Sequence, residues 1–180
     1  MEPDATYRQQ AVDRLQTCTP HPIQAWPELP PHLLACFEII LANHVLYFVP
    51  DLEETLSAIL RALAAPGPFL GAMAGRANGL AQFCRRCFEL IGKPFPFWTS
   101  EDLEAALASL GVTSCAEDVH YELAFPDTEE HRLSMGRFLV GSDDDPVSQR
   151  AILEGFDPYA NAGKVVMPLM HKHFMVRRHM

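Results

Sequence analysis

Residues 37–67 read FEIILANHVLYFVPDLEETLSAILRALAAPG, and the order of chemistries in this stretch decides the fold. Phe37–Ala42 is nearly continuous apolar sequence with two isoleucines, the pattern of a strand buried on both faces. Asn43 and His44 follow as a polar turn. Asp51 can cap a helix, with Glu54 three residues on as a variant of the capping box. Leu52, Leu56, Ile59, Leu60 and Leu63 then recur on one helical face. Pro66-Gly67 stops that helix, and 68–74 reads as a second short strand. In an open α/β sheet, ligands bind just beyond the carboxyl ends of the strands. That rule points to Asn43 and His44.

Working outward, 4–16 carries helix formers with a thin apolar stripe at Ala5, Ala11, Val12 and Leu15. Pro20, Pro22, Pro27, Pro30 and Pro31 then forbid a long regular element. Downstream, 79–91 forms a helix with a stripe of Leu80, Phe83, Cys84, Cys87, Phe88 and Ile91. Lys93–Trp98 is a Pro-broken aromatic loop. Thr99 or Ser100 caps the next helix, which turns Leu103, Leu107 and Leu110 inward and stops at Gly111. Val112–Phe125 reads as a strand, Glu129–Val140 and Val147–Phe156 as helices, and Lys164–Arg177 as a β-rich ending. Strand–helix alternation with a terminal strand pair predicts an α/β fold with a mixed sheet. The strands starting at Phe37, Pro68, Val112 and Lys164 should share that sheet, the first two parallel and the last antiparallel.

Composition narrows the function. A chain of 180 residues can bury a real core as one domain, 1–180. A net charge of −9, without a stripe of Lys and Arg, argues against nucleic acid as a partner. No apolar run reaches the roughly 20 residues of a membrane helix. The polar, acidic N-terminus does not read as a secretory signal. Five cysteines without regular spacing do not make a disulfide framework. The expected setting is reduced and cytoplasmic.

Taken in order, these segments resemble the class I S-adenosylmethionine-dependent methyltransferases, of the type 11/12 kind. FEIILANHVLYFVPDLEETLSAILRALAAPG is similar to that family's fourth strand, loop and helix, and GPFLGAMAG to its fifth strand. FWTSEDLEAALASLGV resembles its next helix, and VVMPLMHKHFMVRR part of its closing antiparallel pair. EPDATYRQQAVDRL is similar to the segment just after its second strand. The resemblance implies the C-terminal two-thirds of a Rossmann-like methyltransferase fold. It implies S-adenosylmethionine as cofactor, Glu2 on the ribose hydroxyls, Trp26 against adenine, and Asn43 and His44 at the methionine end.

The same resemblance carries departures. The family's Gly-rich loop lies upstream of Glu2, so the first strand, that loop and most of the second strand are expected to be missing. Such a loop lets backbone approach the cofactor beside a helix N-terminus. Trp26 stands near a place where the family often has an acidic residue, and Phe48 where a His is common. The implied function is methyl transfer to a small-molecule acceptor by an N-terminally truncated chain that is inactive alone. The alternative is a non-catalytic interaction module that keeps a remnant of the fold. The missing strand would lie beside Phe37–Ala42, so self-association or a partner is expected at that edge. No residue is identified as catalytic. Acceptor choice would lie in 93–98 and 129–162.

Other candidates each have a plainer reading. Asn43 and His44 also suit a turn and a surface imidazole. Cys84-x-x-Cys87 fits a core stripe better than a zinc or redox pair. His171 and His173 share a strand face, as metal ligands, as a base, or as solvated or half-buried side chains. Asp143-Asp144-Asp145 lacks the ligand spacing of a calcium loop and reads as a solvated turn.

Overall fold

A computed structural model describes residues 2, 4–140 and 145–177. It begins with helix α1, Ala5–Gln16, whose first turn is held by the Asp4 carboxylate accepting from the N–H groups of Thr6 and Tyr7. No residue of α1 is buried. The proline-rich stretch that follows contains no helix or strand, though Leu29 packs on the core.

Strand β1 is Ile40–Asn43, later and shorter than the apolar run suggests. The reason lies in the backbone. Cys36 and Phe37 donate to Ala62 O, and Ala64 donates back to Phe37 O, so Phe37 makes only a bridge to Leu63. Gly67 is required beside this crossing, because a Cβ there would come within 2.3 Å of Glu38 O. A single 3-10 turn, Leu46–Phe48, leads to α2, Leu52–Ala62, which Asp51 caps by accepting from Glu54 N.

Strand β2, Pro68–Ala74, runs parallel to β1 with Ile40 opposite Phe69 and Asn43 opposite Ala72. Then come α3, Gly79–Leu90, and α4, Ser100–Ser109. The α4 start is a capping box in which Thr99 donates from both its N–H and its hydroxyl to the Asp102 carboxylate. Its stop is Gly111, at φ +68°. Strand β3 is Ser114–Pro126, followed by α5, Glu129–Val140, and α6, Pro146–Gly155. Asp145 caps α6, while Asp143 and Asp144 of the acidic triplet lie outside the described residues. A two-residue strand β4, Ala160–Asn161, turns into β5, Lys164–Arg177.

The five strands form one sheet in the order β1-β2-β5-β3, with β4 on β5. β5 is antiparallel to both β2 and β3. The shared sheet and its strand directions are those expected from the sequence.

Its two faces are covered unequally. On one face, Leu56, Ile59, Leu103 and Leu107 of α2 and α4 pack on Phe69, Met73, Phe174 and Val176. On the other, Phe83, Cys84, Cys87, Ile152 and Phe156 pack on Val165, Met167 and Leu169 of β5. Alternation along β5 then carries His171, His173 and Met175 onto this second face, beyond the reach of those helices. There Leu41 is 69% exposed, and Leu41, Asn43, Leu70, Cys115, His173 and Met175 line an open concavity of about 490 Å³. Among the described residues, β1 pairs only with β2, so its other edge is free.

Candidate ligand site at the carboxyl ends of the parallel strands

Asn43 ends β1 and is exposed into the concavity. His44 comes next, and its N–H donates to Ala72 O at 3.0 Å, extending the ladder by one residue. Its φ is +55°, a left-handed conformation uncommon in residues other than glycine, of which asparagine, aspartate and histidine adopt it most readily. The chain therefore turns sharply at the strand end and holds the imidazole against its neighbours. Strained backbone of this kind clusters at ligand sites.

Tyr47, one turn later, fixes that imidazole. Its hydroxyl accepts from Ala74 N–H at 2.6 Å and lies 2.8 Å from His44 Nδ1. The phenol oxygen can still donate its proton to Nδ1 or accept from it, so the His44 tautomer sets the direction of that bond. Burial, and then the charge of His173, lower the His44 pKa below the ordinary value of 6.5. Burial raises that of Tyr47.

His171 of β5 stands opposite Ala74, the last residue of β2. Its ring lies 4.1 Å from that of His44. The Tyr121 hydroxyl of β3 sits 2.8 Å from His171 Nδ1 and is also in contact with Nε2. Burial, then His44, then His173 hold the His171 imidazole down to about 4, so it is neutral near pH 7. Buried Asn78 keeps this end of β5 in place, capping α3 with its carboxamide oxygen and donating from Nδ2 to Met170 O at 2.8 Å.

The loop 93–98 reaches the same end of the sheet. Trp98 donates from its backbone to Tyr47 O and from Nε1 to Val49 O, the latter at 2.7 Å. Phe97 lies edge-on to Phe48, which is 70% exposed.

Of the residues singled out in the sequence, Asn43 and His44 sit at the strand end. Glu2 and Trp26 come together elsewhere, Glu2 N donating to Trp26 O at 3.1 Å. No described hydrogen bond joins the two pairs. The Glu2 carboxylate accepts from Asp4 N. Cys84 and Cys87 are buried in the core, with thiols pushed up to about 12 by burial. Among the described residues, no group of three or more metal-ligating side chains is arranged to hold an ion. Sequence reading missed the meeting of His44 with His171, and both tyrosine partners. The only available signal was the alternation that set His171 and His173 on one face.

No protein-family model and no curated protein matches the chain. Solved structures do. A presumed methyltransferase, BH2331 from Bacillus halodurans C-125, superposes with TM-score 0.61 at 14% identity, over 98% of this chain and 80% of that one. The YcgJ protein from Bacillus subtilis gives 0.62 at 12%, over 95% and 77%. A geranyl diphosphate methyltransferase, in complex with S-adenosylmethionine, gives 0.54 at 12%, over 99% and 67%. With that order of strands and those neighbours, the chain shares the Rossmann-like α/β fold of these methyltransferase structures.

Proposed function

We propose that the chain serves methyl transfer from S-adenosylmethionine to a small-molecule acceptor, with the reactants meeting beside Asn43 and His44. The observation that carries this is the left-handed His44 directly after β1, at the strand end where open α/β sheets bind ligands. The Asn43 carboxamide and the His44 imidazole are polar groups suited to the cofactor's polar end. Glu2 and Trp26, already tied together, are the candidates for ribose and adenine. Transfer from a sulfonium brings its own reactivity. The protein has chiefly to hold two reactants close and in line.

The free edge of β1 and the open face beside it bound what this chain does alone. Binding of the cofactor should be weak, on the order of 1 mM. Completion of the edge by another strand, from a partner or from a second copy, would strengthen it. A free apolar edge also favours the second reading, an interaction module without catalysis. The unpaired cysteines suit a reduced, cytoplasmic setting, and no described helix is long and apolar enough to cross a membrane.

Calorimetric titration with S-adenosylmethionine and S-adenosylhomocysteine separates the readings. Weak saturable heat, abolished by Asn43→Ala, supports methyl transfer. No heat from either compound, in a chain that remains folded, supports the interaction module.

A further inference from the structure

Six rings form one unbroken strip across the carboxyl end of the sheet. Tyr121 stacks edge-on to His171 at 4.7 Å, and His171 lies 4.1 Å from His44. His44 is nearly parallel to Tyr47 at 6.0 Å, Tyr47 is edge-on to Phe48 at 6.0 Å, and Phe48 is edge-on to Phe97 at 5.3 Å. The strip opens to solvent at Phe48, 70% exposed, and at Tyr121, 41% exposed, while Phe97 packs on into Phe88 and Phe95. One end is purely apolar and the other ends in a phenol hydrogen-bonded to an imidazole.

We propose that this strip is the acceptor site and that the acceptor is an aromatic hydroxyl compound, its body along Tyr47 and Phe48 and its hydroxyl at Tyr121–His171. The assignment rests on the methyl-transfer reading and adds the substrate class. In the step, an acceptor lone pair forms the new C–O bond as the C–S bond of the sulfonium breaks. The sulfur leaves as the neutral thioether. The acceptor's proton passes to the Tyr121 oxygen while the Tyr121 proton passes to the His171 ring, which later releases it to water.

The chemistry of the strip selects against an amine. An ammonium would find no counter-charge here, because no member of the strip is a carboxylate. The charged groups around it are accounted for. Glu117 stands opposite His173 rather than His171, whose β3 partner is Val119. Lys172 faces the other side, onto Glu104. Glu101 is held by Arg76 N. His171, at about 4, is far too weak a base for an ammonium near 10. It is strong enough for a hydroxyl oxygen that becomes oxonium-like as its C–O bond forms.

The test uses 2-naphthol and 2-naphthylmethylamine as probes on the whole chain, read by fluorescence and by imidazole and aromatic side-chain NMR. The expected result is saturable 2-naphthol binding that shifts His171, His44 and Phe48, at least about tenfold tighter than the amine. Tyr121→Phe should weaken 2-naphthol by about tenfold, the worth of one hydrogen bond, and leave naphthalene unchanged. Equal binding of amine and naphthol, or shifts that miss His171, would overturn the inference. If Tyr121→Phe misfolds, the shift map of the unmodified chain decides alone. The S-adenosylmethionine titration is run separately, so loss of cofactor binding counts against methyl transfer and loss of naphthol selectivity against the acceptor class.

Discussion

His44 and His171 lie ring against ring, 4.1 Å between centroids, although one follows β1 and the other belongs to the last strand. Half-burial penalises the charged form of each ring first; the charge of His173 adds to this at His44, and those of His44 and His173 at His171. Both are held below the ordinary histidine value, His171 to about 4.

A pH dependence of stability follows. The unfolded chain binds a proton at His171 near 6.5, which the folded chain refuses until about 4. Between those values the unfolded state holds more protons, so stability falls as pH falls through the window. Part of the ring faces water, and screening limits the loss to about 1 kcal/mol. Urea unfolding at pH 7 and pH 5 should show the drop, and His171→Gln should flatten it. An unchanged slope in His171→Gln would count against the cluster.

Tyr47→Phe removes the hydroxyl that accepts from Ala74 N and faces His44 Nδ1. Loss of that shared group should cost about 1–2 kcal/mol in urea unfolding. It should also release the His44 tautomer, visible as a changed ring-nitrogen shift in NMR.

The cysteines divide by burial. Cys18, Cys36 and Cys115 are exposed, and Cys84 and Cys87 are buried with thiols near 12. A thiol reagent should titrate the exposed group at once and reach Cys84 and Cys87 only on unfolding. Simultaneous reaction of all five, or stoichiometric zinc lost in Cys87→Ser, would refute the core assignment.

The order of strands, the helix caps and the cores were largely legible in the sequence, because they rest on local signals. Asp51 and Thr99 cap as their positions suggest, and the Cys84–Cys87 stripe is buried as its spacing requires. The start of β1 was misplaced because Phe37 spends its backbone bonds on Ala62 and Ala64, a contact that no periodicity announces. Half of the site was legible for the same reason. Asn43 and His44 follow a readable strand, whereas His171 and Tyr121 reach them only through the β2-β5-β3 pairing. The bond from Glu2 to Trp26 is likewise tertiary.

The free edge of β1 gives a fourth expectation. Leu41→Lys places a charge on a side chain that is 69% exposed, so stability should change by no more than about 0.5 kcal/mol. Self-association in size-exclusion chromatography should fall. Unchanged association would place the contact elsewhere.

The most direct test of the central claim is to map where S-adenosylmethionine binds, by NMR of the isotope-labelled chain. Weak saturable shifts centred on Asn43 and His44, lost in Asn43→Ala, are the expected result. Shifts confined to the α5–α6 side of the sheet, or none up to millimolar cofactor, would contradict it.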